Sequence, residues 1–290
     1  MTVQGRYLLA GLEGEHFVKE QGITALPVDP FAVAENLGIL VEPKPASAEG
    51  VSGMLIRYGE EYAIAYATHI DNEGFKRFSV SHEIGHYKLP GHIDALFAEG
   101  DVHESRAGFV SQNPYELEAD HFAAGFLMPD SLISKELRRL GDGMEAVEGL
   151  AAACCTSLTA SALRYVQKAS VPVAMVMSAG DYIEYLFMSK TLQDFNDLTW
   201  PRKGEPLPAG VKTEQFNRDE ANVRIARRAE ADTDLREWFG GRRPIPALEE
   251  IIGLGSYGRT LTILSTDIFA DDPDEEDELD ERWAVGFSRR

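Results

Sequence analysis

Cysteine is nearly absent from this chain. Two occur in 290 residues, Cys154 and Cys155, and a bridge between adjacent residues would be strained, so no disulfide scaffold is available. Reduced thiols and a cytoplasmic protein are expected. Positive charge is also scarce: 28 Lys and Arg against 48 Asp and Glu give a formal net charge of −20. That balance argues against direct nucleic-acid binding through a broad phosphate-contacting surface, which needs Lys and Arg to replace counterions. Long apolar runs are missing too. No stretch approaches the roughly 18 to 20 residues needed to span a bilayer. The start offers only the short run Tyr7-Leu8-Leu9-Ala10 without a cleavage-like site, so neither a membrane span nor a leader is expected. What remains is 44% hydrophobic residues, enough to build a packed core, in a length that suits two domains.

The most informative stretch is His82-Glu83-Ile84-Gly85-His86. On a helix, positions i and i+4 share a face, so His82 and His86 can grip one metal ion while Glu83 stands beside it. A zinc ion with three protein ligands keeps one exchangeable position for water, and Glu83 is placed to take the proton of that water.

The third ligand should come from a second helix. Tyr115-Glu116-Leu117-Glu118-Ala119-Asp120-His121 supplies two candidates, Glu116 and Glu118. Glu116 is preferred because Asp120 lies four residues on, where it can bond the free ring nitrogen of a ligand histidine and fix its tautomer. The residue four beyond Glu118 is Phe122, which has nothing to offer a histidine. Small residues at 119, 123 and 124 would let the two helices approach closely. His92, His103, His121, Tyr87 and Tyr115 are polar neighbours to which the sequence assigns no role.

Along the chain, residues 8–21 read as a helix, and Asp29 before Pro30 as the cap of another over 30–36. Residues 39–42, 53–58 and 62–66 read as strands. A helix beginning near Glu73 should carry the motif and pack Phe75, Phe78, Val80 and Ile84 inward. Residues 94–114 show no clear period and read as a loop with short helical turns. Helices follow from Pro114 through Met128, over 132–140, 144–153 and 159–169, the last two resembling a helix-turn-helix only in outline. Residues 171–177 and 182–188 flank a turn as a hairpin, and 260–264 read as a late strand. The acidic run 271–281 reads as a solvated loop. Gly253-Leu254-Gly255-Ser256-Tyr257-Gly258 fits a dinucleotide fingerprint in letters, but a strand follows it where a helix is required. The fold expected is α+β: a zincin-like metallopeptidase domain over residues 1–140, a helical segment over 141–170 and a smaller, mostly β, sensor-like domain over 171–290.

Phe78 to His86, with Glu116-Leu117-Glu118-Ala119-Asp120-His121-Phe122-Ala123-Ala124-Gly125-Phe126-Leu127-Met128-Pro129, resembles the ImmA/IrrE family of zinc metallopeptidases. The similarity extends upstream to Pro27 and downstream to about Tyr165. It implies that His82, His86 and Glu116 bind zinc, that Glu83 is the catalytic base, and that the substrate is a helix-turn-helix transcriptional repressor of stress-response or mobile-element genes. Two other functions keep the same residues: a non-catalytic regulator with a structural zinc site that binds a repressor or senses a ligand through its C-terminal domain, and a hydrolase of small amides.

Overall fold

Capping residues set where the main helices of the first unit begin, and glycine sets how closely they pack. The computed structural model describes residues 3–44, 50–68, 72–98, 100–105 and 111–270, which divide into two compact units. The first holds α1 (Val3–Glu20), α2 (Pro30–Asn36), β1 (Leu40–Pro43), β2 (Gly53–Tyr58), β3 (Glu61–Tyr66), α3 (Glu73–Lys88), α4 (His92–Leu96), β4 (Val102–Ser105), α5 (Pro114–Leu127) and α6 (Asp130–Leu137), with most of α7 (Gly143–Cys154) and α8 (Leu158–Lys168). Asp29 caps α2 by accepting from the Phe31 N–H at 3.0 Å, Asn72 caps α3 through Phe75, and Asn113 caps α5 through Tyr115 with Pro114 in the first turn. Each side chain satisfies a backbone donor that the helix itself leaves open.

The sheet of this unit has the order β1-β3-β2-β4, with β1 parallel to β3 and the other pairs antiparallel. Against it packs α3, whose Val80 and Ile84 are fully buried with Leu55 and Ile64 of the sheet and Phe122 and Phe126 of α5. Phe75 and Phe78 are only half-buried. The core face of α3 therefore lies toward Val80 and Ile84. Gly85 lets α5 come close, since a Cβ there would stand 3.0 Å from the Phe122 ring and 3.3 Å from the Ala119 Cα. Between α1 and α5 the approach is backbone to backbone: a Cβ on Gly14 would overlap Phe122 and Phe126 main-chain atoms, and one on Gly125 would overlap Gly11.

The helical turn expected in the span 94–114 is there, and so is a strand the sequence did not announce. The span contains part of α4 and the edge strand β4, which pairs with β2 through Leu55 and His103 and through Gly53 and Ser105. Val-His-Glu-Ser has no β-branched run and only one fully covered residue, so its strand character comes from the partner it pairs with and not from its own propensity.

The second unit contains β5 (Val173–Ala179), β6 (Tyr182–Met188), α9 (Lys190–Gln193), α10 (Lys212–Asn217), α11 (Glu220–Arg224), β7 (Arg228–Asp234), α12 (Leu235–Phe239), β8 (Pro246–Gly253) and β9 (Thr260–Ser265). Its antiparallel sheet runs β6-β5-β9-β8-β7. Val176, Leu235, Trp238 and Phe239 are buried in its core. The glycine-rich stretch at 253–258 is the β8–β9 connection, closed by one 3-10 turn. The helices α7 and α8 meet at a 116° bend, with Cys155 in the left-handed region at φ 53°. The acidic run 271–281 lies outside the described residues. Among the described residues no single helix is long and apolar enough to cross a membrane.

Candidate metal centre

Helix α3 presents His82, Glu83 and His86, all fully buried, to the face from which α5 presents Glu116 and Asp120. The ring nitrogens and the carboxylate converge. His82 Nε2 and His86 Nε2 are 3.0 Å apart, Glu116 lies 3.5 Å from the first and 3.2 Å from the second, and one ligand atom from each residue falls within 4.8 Å of the others. Asp120 Oδ1 is 2.8 Å from His82 Nδ1, with both side chains fully buried. That contact holds a proton on Nδ1, so that a metal ion displacing the other proton would take Nε2, which faces Glu116 and His86. Two imidazole nitrogens and one carboxylate aimed at a common point suit a divalent metal ion of borderline softness. The structure brings together all five side chains singled out in the sequence, and Glu118 points elsewhere.

Electrostatics agree with that donor set. Burial pushes His86 down to about 3, helped by His82 and His103 and opposed by Glu116, so it is neutral at ordinary pH. Burial also opposes charge on His82, but Asp120 and Glu116 outweigh it and lift the group to about 10. Burial would raise Glu116; hydrogen bonds with His103, His82 and His86 instead hold it well below the usual carboxylate range. A carboxylate beside a histidine with this appetite for positive charge is a place where a cation is favoured.

Glu83 differs from every other acid here. It is fully buried, and neither carboxylate oxygen has a hydrogen-bond partner among the described residues. Ser105 lies near enough to lower its pKa without hydrogen-bonding alignment. Burial pushes the carboxyl up to about 7, with Glu116 adding to the rise and His82, Ser105 and His103 opposing it. Gly53 makes the room it occupies, since a Cβ there would stand 3.2 Å from both Glu83 Cγ and Cδ and overlap Oε1.

Three partnerships were not legible in the sequence. His103 Nε2 reaches Glu116 Oε1 at 2.9 Å from β4, the strand read as a loop. His92 bridges His86 and Glu118, at 3.0 and 3.2 Å. Buried Glu118 was the usable clue, because a carboxylate on the covered side of a helix needs a cationic or hydrogen-bonding partner. His121 stacks on Tyr7, Tyr87 packs edge-on against Tyr62, and Tyr115 packs edge-on against His92.

Comparison with known proteins agrees with this region. Residues 34–163 match the model of the Peptidase M78 family, described as the IrrE N-terminal-like domain. The radiation response metalloprotease IrrE of Deinococcus radiodurans is 31% identical over 104 residues, 36% of this chain and 31% of that protein, so the match spans about a third of the relative's length. A solved Mycobacterium tuberculosis transcriptional regulator aligns with a TM-score of 0.51 at 13% identity, over 89% of this chain and 76% of that one. At that identity the likeness concerns the fold alone. The similarity to the IrrE N-terminal-like domain thus covers residues 34–163, which contain every residue of the converging cluster.

Proposed function

We propose that this protein is a zinc-dependent endopeptidase of the cytoplasm that cleaves a helix-turn-helix transcriptional repressor, relieving repression of stress-response or mobile-element genes. The observation that carries the enzymatic part is Glu83: a buried carboxylate without a hydrogen-bond partner among the described residues, beside three converging donors. A structural metal site has no use for such a group.

His82, His86 and Glu116 would hold the ion, and zinc so held supplies Lewis acidity that polarises a carbonyl and acidifies water. Glu83 takes the proton of the attacking water and passes it to the leaving amine, and its burial favours the protonated form that the second transfer requires. Asp120 keeps His82 in the tautomer that ligates. The repressor as substrate is supported by family resemblance and by a net charge of −20, which attracts a basic, DNA-binding partner. The free thiols Cys154 and Cys155 support the compartment.

A second reading, a non-catalytic regulator, has one observation in its favour. His103 stands 2.9 Å from Glu116 and could turn to close the site as a fourth ligand. The two readings separate on Glu83→Gln incubated with candidate helix-turn-helix repressors. The peptidase reading expects full zinc content with cleavage lost by at least about a hundredfold. Cleavage at the wild-type rate would remove Glu83 from the mechanism, and a wild type that binds zinc but cuts no such repressor would favour the regulator.

A further inference from the structure

We propose that His92, Glu118 and Arg6 form a second support for the metal centre, a chain of contacts that fixes the tautomer of His86 as Asp120 fixes that of His82. The inference rests on the reading of His82, His86 and Glu116 as metal ligands and assigns positioning roles to three residues outside that set.

Proton placement follows from one end of the chain. Arg6 pairs with Glu118 Oε1 at 2.6 Å, an ion pair without hydrogen-bond alignment, and the other oxygen of Glu118 lies 3.2 Å from His92 Nε2. A carboxylate only accepts hydrogen bonds, so His92 carries its proton on Nε2 and donates it there. Its Nδ1 is then a bare acceptor. His86 Nδ1 lies 3.0 Å from that atom and must donate to it, which leaves His86 Nε2 unprotonated and directed at Glu116 and His82 Nε2. Reversing the chain would set a lone pair of His92 against the Glu118 carboxylate with nothing to relieve it, whereas the His86 Nε2 lone pair facing Glu116 is where a cation held by His82, His86 and Glu116 would sit. Glu118 therefore selects the ligating form of His86 through an intervening ring.

Local structure holds this ring in place. Pro90 cannot continue α3, Gly91 takes a left-handed φ of 79°, and the chain folds back so that His92, fully buried, meets a residue only six positions earlier. Tyr115 packs edge-on against His92 at 5.0 Å and lies under the Arg6 guanidinium at 5.9 Å.

The test uses the full chain as wild type, His92→Phe and Glu118→Gln. Zinc affinity is measured by competition with a chromophoric chelator, and the ring tautomers of the metal-free proteins by long-range proton–nitrogen NMR. The proposal expects His86 protonated on Nδ1 in the wild type and a roughly ten- to hundredfold loss of zinc affinity in His92→Phe. Glu118→Gln, which keeps shape and should fold even where His92→Phe does not, is expected to lose affinity and to mix the His86 tautomers. Wild-type affinity in both variants, or His86 protonated on Nε2 in the wild type, would overturn the proposal. A wild type that binds no zinc would instead overturn the metal-centre reading, and the support role with it.

Discussion

Glu83 shows how one side chain can depend on the absence of another. It occupies space that exists because position 53 of β2 has no Cβ, and no hydrogen bond to a described residue ties it there. Gly53→Ala should therefore displace the carboxylate while leaving His82, His86 and Glu116 untouched. The expected outcome is unchanged zinc content with cleavage reduced about a hundredfold, the cost of misplacing a reacting group by about an ångström; unimpaired turnover would show that the glycine is incidental. At this scale the sequence was legible wherever helix periodicity does the work. His82 with His86, and Glu116 with Asp120, each follow from a four-residue spacing on one face. Gly53, His92 and His103 were not legible, because their partners arrive from other segments and no local spacing announces them.

Among elements, the contact of α1 with α5 is the most demanding. Gly14 and Gly125 bring main chain against main chain, so an added methyl meets atoms that cannot rotate away. Gly125→Ala should gain about 1 kcal/mol of helix propensity yet lose more to overpacking of about 1–3 kcal/mol, giving a net fall in the urea midpoint; a stabilised variant would refute the close approach. Edge position alone did not decide which strands were readable: β1 and β6 lie at sheet edges and were expected, while the interior β8 was not. The fully buried run of β5 was expected, whereas β4 and the charged β7, Arg-Ala-Glu-Ala-Asp-Thr-Asp, carry the polar residues that edge strands use to avoid unwanted pairing.

For the molecule as a whole, charge is the property that bears on encounter. A net charge of −20 should speed association with a basic repressor and do nothing for a neutral peptide. Under the proposed function, cleavage of a basic repressor substrate is therefore expected to slow, in kcat/KM, by about tenfold or more between low and physiological salt, as steered association does, while a short uncharged peptide containing the same scissile bond should show little change. Equal salt responses would deny electrostatic steering. The α+β class was legible from alternating patterns, but the order β6-β5-β9-β8-β7 was not, since it depends on which distant strands find each other.

The support of the two ligand histidines also bears on when the site comes into being. Asp120 is 38 residues from His82, Glu118 is 26 from His92, and Arg6 reaches them from the first helix. Closing such separations costs chain entropy before any contact repays it. A partly folded chain would thus hold two histidines on one helix and little more, with neither ring locked in its ligating form. Under the proposed function, tight metal capture is then expected to come late in folding, after the first helix has brought Arg6 to Glu118.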